Sequence, residues 1–230
     1  FGRREVVSEV GFHVRPAEIY GLLGPNGAGK TTTFRMVVGQ LRPDAGTVAF
    51  QGRDVTRLAM YERARLGMGY LAQEPSVFTG LTVEENIMAI LEFHEKDPEA
   101  RRRRLEELLG LLHMEPFRKQ GATRLSGGQR RRLEVTRALV TNPKLLMLDE
   151  PFAGIDPKAV TDIKEILKTL VARGISILIT DHNVHETLEL VHRAAVLYEG
   201  KLLAEGTPQD IAGNPQVLHA YLGEGFKLRG

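Results

Sequence analysis

The sequence predicts an α/β protein in which a parallel sheet is interrupted by a helical insert. Two observations lead to this prediction. The C-terminal part alternates short apolar runs, such as "KLLMLDE" and "ISILIT", with amphipathic stretches, an order typical of parallel strands joined by right-handed helical crossovers. Residues from about 81 to 138 instead contain little strand pattern and several amphipathic helices. The 230 residues are enough to form a core of their own.

The N-terminal elements are predicted from apolar runs and glycines. Strands are expected at residues 6–7, in "GFHV" and in "EIYGLLG". A helical pattern runs from position 29 to about 39, and "DAGTVAFQG" has the form of a hairpin between glycines. In the insert, one helix should begin with Asp97 as its cap and Pro98 in its first turn.

The C-terminal elements have equally local signals. A helix should begin at Asp156 and Pro157, bury one apolar stripe and end at Gly174. Farther on, "HETLELV" predicts a helix and "AAVLYEGKLLAEG" a hairpin that turns at Glu199 and Gly200.

Composition excludes several classes of function. The formal net charge is only +2, so no strong basic field indicates nucleic acid binding. There is no cysteine, which excludes disulfides and thiolate zinc sites. No stretch approaches the roughly 18 consecutive apolar residues that a membrane span requires. The run "RRRR" at 101–104 is interpreted as the solvated face of an amphipathic helix with leucines at 105, 108, 109 and 112.

A phosphate-binding loop is the strongest chemical signal. "GPNGAGKT" at 24–31 fits the pattern G-x-x-x-x-G-K-[ST], between a predicted strand and a predicted helix. Glycines let backbone N–H groups turn towards phosphates, Lys30 reaches the β- and γ-phosphates, and the Thr31 hydroxyl can ligate Mg²⁺. The alternative is a glycine-rich turn without a ligand. The predicted nucleotide-binding residues here are Gly24, Pro25, Asn26, Gly27, Ala28, Gly29, Lys30, Thr31 and Thr32.

Two carboxylates end the apolar strand "LLML". Asp149 should lie beside the loop, where it can hold Mg²⁺, and the adjacent Glu150 should point elsewhere, towards the attacking water. The alternative is a pair of acidic residues at a turn before a proline.

Together these motifs resemble one family, the ATP-binding-cassette ATPases. "GPNGAGKT" looks like the family's Walker A, Gln73 in "YLAQE" its Q-loop and "LSGGQ" at 125–129 its signature. "LLMLDE" looks like its Walker B, "AGID" at 153–156 its D-loop and His182 in "ITDHN" its switch histidine. Taken alone, "LSGGQ" has the spacing of a helix capping box. The resemblance covers essentially the whole chain and keeps the family's motif order.

The resemblance implies a P-loop NTPase with a RecA-like core, an antiparallel β-subdomain and an inserted α-helical subdomain. The chain is then one nucleotide-binding domain, with 1–80 and 139–230 forming the core and β-subdomain and 81–138 the helical subdomain. Two protomers would form a head-to-tail homodimer with ATP between one Walker A and the other signature. The signature residues Ser126, Gly127, Gly128 and Gln129, together with Asp156, would contact nucleotide.

The resemblance also implies roles in ATP hydrolysis. Glu150 would be the general base, His182 would hold the γ-phosphate, Gln73 would sense Mg²⁺ and water, and Lys30 would bind phosphate. The metal ligands would be Thr31, Gln73 and Asp149, and Phe1 would stack on adenine.

Within the family, "EPFAGIDP", "LITDHNVHETLELVHRAAVLYEGKLLAEGTP" and "YLGEGFKL" look like the ATPases of bacterial lipopolysaccharide exporters. That resemblance implies a peripheral protein on the cytoplasmic face of the inner membrane, docked on two transmembrane subunits near Phe78. Only those subunits would touch lipopolysaccharide. Phe78 is equally consistent with a core aromatic of the insert.

Two alternatives to export stay open. One is the ATPase of a branched-chain amino-acid importer, and the other is a non-transport cassette ATPase. The chain departs from the usual pattern at Ala17, Ala72 and Gln129 and at the pair 79–80, and none of these departures touches the nucleotide chemistry. The pair 79–80 stands where a basic pair is expected, which puts the details of partner docking in question.

Overall fold

A computed structural model describes residues 5–228 of the chain. Its main sheet has six strands: β1 (Ile19–Leu23), β4 (Met68–Leu71), β5 (Leu145–Asp149), β6 (Ser176–Thr180), β7 (Arg193–Tyr198) and β8 (Lys201–Gly206). The spatial order is β4-β5-β6-β1-β7-β8, and every pair is parallel except β7 with β8. A separate hairpin pairs β2 (Ala49–Phe50) with β3 (Arg53–Asp54). The predicted parallel sheet and the hairpin that turns at Glu199 and Gly200 are therefore confirmed, whereas the hairpin expected in 44–52 lies at 49–54.

The α-helices are α1 (Lys30–Val38), α2 (Met60–Arg65), α3 (Val83–His94), α4 (Pro98–Leu111), α5 (Gly127–Ala138), α6 (Pro157–Ala172), α7 (Val184–Leu188) and α8 (Pro208–Gly213). Short 3₁₀ turns span Glu115–Phe117, Ala122–Arg124 and Leu139–Thr141. The C-terminal part contains one helical turn, Pro215–Val217, and a π-helical turn, Leu218–Leu222.

The insert is helical because its helices have strong local start signals. Thr82 caps α3 in a capping box with Glu85, and Asp97 caps α4 with Pro98 in the first turn. The leucines of α4 at 105, 108 and 109 are buried, as is Leu112, as predicted from their spacing. One arginine of the run "RRRR" departs from the prediction. Arg104 donates to the Leu139 carbonyl (2.9 Å) and the Asn142 side chain, so it ties α4 to the end of α5.

The sheet is buried on both faces, as a parallel sheet requires. Alternate residues of β1 belong to different cores: Ile19 and Leu23 lie in the larger one, with the insert, α6 and α7. Tyr20 and Leu22 lie in the smaller one, with Phe34 of α1. This two-sided burial explains why the strands consist of continuous apolar runs rather than alternating ones.

The observed secondary structure differs from the prediction in several places. Residues 6–14 form no strand, although Val10, Phe12 and Val14 still pack on the smaller core. Alternation of apolar residues selects the buried face, but a strand also needs a regular series of backbone hydrogen bonds to a neighbour. Ser8 N donates to the Gly200 carbonyl at 2.7 Å, and this single bond does not extend into a ladder within residues 5–228. Strand β4 and helix α2 were not predicted, since four and six residues are too short for a periodic signal. The helix expected in "HETLELV" is shorter, because α7 ends at Leu188.

No helix among residues 5–228 combines the length and apolar character needed to cross a bilayer.

Candidate active site

The predicted site residues converge on one edge of the sheet. The loop 24–29 follows β1, Gln73 follows β4, Glu150 follows β5 and His182 follows β6. These four strands are neighbours in the sheet, and all are parallel, so their carboxyl ends lie side by side. Ligands of open α/β sheets bind at this edge.

The loop 24–29 has the backbone conformation of a phosphate cradle. Gly24, Gly27 and Gly29 have φ of 141°, 80° and 98°, a region that favours glycine. At Gly24 the packing is as demanding as the dihedral, because an added Cβ would lie 2.1 Å from the Leu197 carbonyl oxygen. The next helix, α1, begins with no side-chain cap and no acidic residue in its first turn. Its first N–H groups are therefore not capped by a side chain and can meet an anion.

Lys30 is buried within this cradle. Its Nζ donates to the carbonyl oxygens of Gly24 (2.6 Å) and Pro25 (3.0 Å). Burial lowers the pKa of Lys30, and the nearby charge of Glu150 raises it in part. Because both of these hydrogen bonds go to neutral carbonyls, they leave the positive charge of the Lys30 ammonium available to a polyanion. The residues present thus fit the triphosphate of ATP.

Glu150 is the centre of a three-residue cluster. Gln73 Nε2 donates to its Oε2 at 2.7 Å, and His182 Nε2 lies 2.5 Å from its Oε1. Its backbone has φ 48°, unusual for a residue other than glycine, and its N–H donates to the Thr180 carbonyl at 2.7 Å. Both carboxylate oxygens are thus held by side chains from neighbouring loops.

Asp149 ends β5 and is 8% exposed. Burial raises its pKa, as does the adjacent Glu150, while Arg35 and Arg131 oppose the shift. Within residues 5–228, no group of three or more acidic or histidine side chains could hold a metal alone. Mg²⁺ does not require such a group, because it binds through one or two carboxylates and completes its shell with neutral oxygens, phosphates and water. Asp149, the exposed Thr31 and Gln73 fit this requirement.

The signature residues lie at the start of α5. Ser126 Oγ accepts from Gln129 N (3.3 Å), and Gln129 Oε1 accepts from Ser126 N (2.9 Å), so the capping box is real. Gly128 packs so tightly on α6 that an added Cβ would lie 2.4 Å from the Ala159 Cβ. Among residues 5–228, no hydrogen bond or ion pair joins 126–129 to the loop 24–31. The signature therefore does not complete its own chain's phosphate site.

Of three further predicted residues, the structure places Asp156 and Phe78. Asp156 caps α6 by accepting from Ala159 N at 3.0 Å. Phe78 is 43% exposed, with the Arg137 guanidinium 4.2 Å from its ring centre, so the alternative that it is a core aromatic is wrong. The prediction for Phe1 falls outside the described residues.

Sequence reasoning missed three residues that hold the loop of Gln73. Arg131 donates to the carbonyls of Ala72 (3.0 Å) and Asp149 (3.1 Å) and pairs with Glu134. Asn86, in the first turn of α3, is fully buried. The sequence contained a signal for Arg131. It precedes Val135 by four residues and so lies on the apolar face of α5, where an arginine is buried and needs polar partners.

The C-terminal segment returns to the phosphate loop. Burial raises the pKa of Tyr221 to about 12, and the nearby Gly24 backbone opposes the shift in part. Phe226 stacks on His185 of α7, with ring centres 4.2 Å apart. Residues near the end of the chain thus pack on both the phosphate loop and the helix that follows His182.

Comparisons with known proteins match this geometry. A family model described as "ABC transporter" matches residues 7–153, and a second, "Branched-chain amino acid ATP-binding cassette transporter", matches residues 201–227. The chain is 51% identical to the lipopolysaccharide export system ATP-binding protein LptB of Acidithiobacillus ferridurans, covering 99% of this chain and 95% of the relative. It is 52% identical to the protein of the same name from Haemophilus influenzae, covering 98% and 94%. An uncharacterized ABC transporter ATP-binding protein of Rhizobium meliloti is also 52% identical, covering 98% and 83%.

Solved structures share the whole architecture. A nucleotide-free ATP-binding cassette from an ABC transporter superposes with a TM-score of 0.87 at 30% identity, covering 97% of this chain and 95% of the other. The dimeric structure of MJ0796, a bacterial ABC transporter cassette, gives 0.78 at 25% identity, covering 90% and 94%. The sheet-edge site, the phosphate loop and these matches lead to one conclusion: the chain belongs to the ABC transporter family, as one of its ATP-hydrolysing cassettes.

Proposed function

We propose that this ATPase powers extraction of lipopolysaccharide from the inner membrane and its export. The observation that carries the proposal is identity of about half of all residues, over nearly full length, to two proteins named for lipopolysaccharide export. The alternative is a branched-chain amino-acid importer, which the match at residues 201–227 favours. That match covers only the C-terminal segment, so we prefer export.

For hydrolysis, we infer that the loop 24–31 and Lys30 bind the phosphates of ATP. Thr31, Asp149 and Gln73 would hold Mg²⁺, which supplies a positive charge that orients the phosphates and stabilises developing negative charge. Glu150 accepts the proton of the attacking water, and His182 binds the γ-phosphate. Gln73 and His182 each contact one oxygen of Glu150 and so orient its carboxylate, whose remaining lone pairs can accept from the attacking water.

We also propose that two copies of this chain pair head to tail around ATP. The starts of α1 and α5 are each able to meet phosphate, yet no hydrogen bond or ion pair links them within residues 5–228 of one chain. Mixing a Lys30→Ala protomer with a Ser126→Arg protomer should restore one intact site, and hydrolysis should rise above the sum of the two inactive homodimers. Activity that never exceeds that sum would contradict the head-to-tail arrangement.

The proposal extends to partners and location. Two transmembrane subunits would dock near the loop of Gln73, where Phe78 is exposed, and only they would touch lipopolysaccharide. The chain would then be a peripheral subunit on the cytoplasmic face of the inner membrane. Residues 81–138 would act as the helical subdomain that carries the signature, on a core and β-subdomain made of 1–80 and 139–230. A net charge of +2 gives no reason to expect a nucleic acid partner.

Depletion of the protein from its native cells tests the transported substrate. We expect newly labelled lipopolysaccharide to accumulate in the inner-membrane fraction, while uptake of labelled leucine stays normal. Re-expression of the wild type should reverse the defect and Glu150→Gln should not. Normal lipopolysaccharide export with lost leucine uptake would favour the importer and overturn the proposal.

A further inference from the structure

The loop that carries Gln73, residues 72–78, contains no helix or strand. Its backbone groups therefore have no regular partners and must be satisfied in other ways. Side chains of the helical insert provide them. Glu134 of α5 accepts from Ser76 N at 3.0 Å, and Arg131 of the same helix donates to the Ala72 carbonyl. The loop is thus held from the insert at several backbone positions, all within five residues of Gln73.

Asn86 of α3 holds the other end of the loop. Its Oδ1 accepts from Phe78 N at 2.8 Å, and its Nδ2 lies 3.0 Å from the Phe78 carbonyl oxygen. The same Nδ2 is within reach of the carbonyls of Leu81 (3.4 Å) and Thr82 (2.9 Å). A carboxamide supplies one acceptor and two donors, a combination that aspartate at this position would not provide. Since the side chain is fully buried, water cannot replace these bonds.

Glu134 is also buried, at 4% exposure, and divides its two oxygens between partners. Oε1 accepts from Ser76 N, and Oε2 accepts from Arg131 at 2.9 Å. A buried ion pair contributes little to stability on balance, because desolvation offsets the attraction of the charges. Its clearest effect here is geometric, since it fixes where the backbone of Ser76 lies relative to α5.

We propose that Asn86 and Glu134 are positioning residues, which fix the backbone of residues 76–78 so that the Gln73 side chain meets Glu150. In the described part of the chain, neither side chain hydrogen-bonds to Gln73 or Glu150, so both act through the loop. The helical insert, which carries the signature at the start of α5, therefore also sets the position of Gln73. The inference rests on the role proposed above for Gln73 in hydrolysis.

The first test is the kinetics of Asn86→Ala. We expect kcat to fall about ten- to a hundredfold, the scale of an ångström-sized displacement of a positioned group. The KM for ATP should change less than about twofold, because phosphate binding by the loop 24–31 is untouched. In hydrogen exchange, the amides of Ser76 and Phe78 should lose protection in the variant. Unchanged protection of both amides would overturn the proposal.

A double-mutant cycle with Gln73→Ala separates positioning from general destabilisation. If Asn86 acts through Gln73, the double variant should be no slower than Gln73→Ala alone, within about twofold. If the two substitutions lower kcat independently, so that their effects multiply in the double variant, the inference about Asn86 is overturned while the proposed role of Gln73 stands. A Gln73→Ala enzyme with normal kcat would instead overturn the proposed role of Gln73, and the inference with it.

Three further variants complete the test. Thr136 of α5 is fully buried and bonds only to the Arg132 carbonyl of its own helix (2.7 Å), so Thr136→Ala should lower Tm without changing kcat. Glu134→Gln keeps an oxygen for Ser76 N and should retain most of the activity that Glu134→Ala loses. A Thr136→Ala enzyme as slow as Asn86→Ala, or no difference between the two Glu134 variants, would refute the positioning role.

Discussion

Substitutions at Ser126 can separate its two roles, helix capping and contact with a partner's nucleotide. Ser126 accepts from Gln129 N and caps α5. Removing such a cap costs about 1 kcal/mol. In a chain of this size, about 1 kcal/mol corresponds to a Tm change of about 2–4 °C. Ser126→Ala should therefore lower Tm by this amount, whereas Ser126→Asp should keep Tm unchanged, because aspartate caps helices as well as serine and suits the helix dipole.

Hydrolysis should respond in the opposite order. A carboxylate at position 126 would face a phosphate of the partner's ATP, and two unit charges 4 Å apart repel by about 4 kcal/mol at an effective dielectric constant of 20. Each 1.4 kcal/mol is a factor of about ten, so Ser126→Asp should slow hydrolysis about a thousandfold. Ser126→Ala loses only one hydrogen bond to a charged group and should slow it about tenfold.

The assay combines thermal unfolding without nucleotide and phosphate release with ATP and Mg²⁺. Asn214→Asp is a matched control, because Asn214 caps another helix start, accepting from Gln216 N at 2.9 Å. It should leave both Tm and hydrolysis unchanged. A Ser126→Asp protein that hydrolyses ATP within tenfold of the wild type would refute the contact with phosphate. A loss of Tm equal to that of Ser126→Ala would refute the capping.

Four further predictions follow from single contacts. Glu150→Gln should abolish turnover but retain ATP binding, giving an ATP-dependent dimer in size-exclusion chromatography. A variant that stays monomeric at saturating ATP would contradict the head-to-tail dimer around ATP. Gly128→Ala should destabilise the fold by about 1–2 kcal/mol in urea unfolding because its Cβ collides with α6, and adding Ala159→Gly should reverse this; no recovery would refute the contact. Ala17 has φ 53°, so Ala17→Gly should stabilise by about 0.5–1 kcal/mol, and unchanged stability would mean the residue is unstrained. Burial raises the pKa of Tyr221 to about 12 in the folded chain, so its contribution to stability is complete below pH 10 and lost between pH 10 and 12. Tyr221→Phe should lose less unfolding free energy over that window than the wild type, and equal losses would count against the burial of Tyr221.

Much of the fold could be predicted because its signals are local. The caps Asp97, Ser126 and Asp156 each bond to a backbone N–H two or three residues away, and these bonds are present as expected. The buried strands β5 and β6 are continuous apolar runs, which reveal burial on two faces. The predicted strands in residues 6–14 failed because alternation specifies a buried face but not a hydrogen-bonding partner.

The candidate site could be predicted in part, for the same reason. The spacing of "GPNGAGKT" determines a loop conformation, so Lys30 and the glycines were found from sequence. The loop contacts of Asn86 and Glu134 were not, because those residues bond to backbone at 76 and 78, which carries no side-chain signal. Arg131 was not identified either, since its spacing to Val135 indicates a buried helix face but does not show which groups the guanidinium bonds to.

Sequence patterns alone identify the resemblance to the family, the phosphate loop, the capping box of the signature and most strands and helices, but not β4 and α2. These depend on contacts between residues a few positions apart, which a pattern records directly. The tertiary structure was needed to show that Gln73 and His182 contact the two carboxylate oxygens of Glu150, and that the insert holds the loop of Gln73. Those contacts join residues far apart in the chain, and the packing of the sheet and helices brings them within hydrogen-bonding distance.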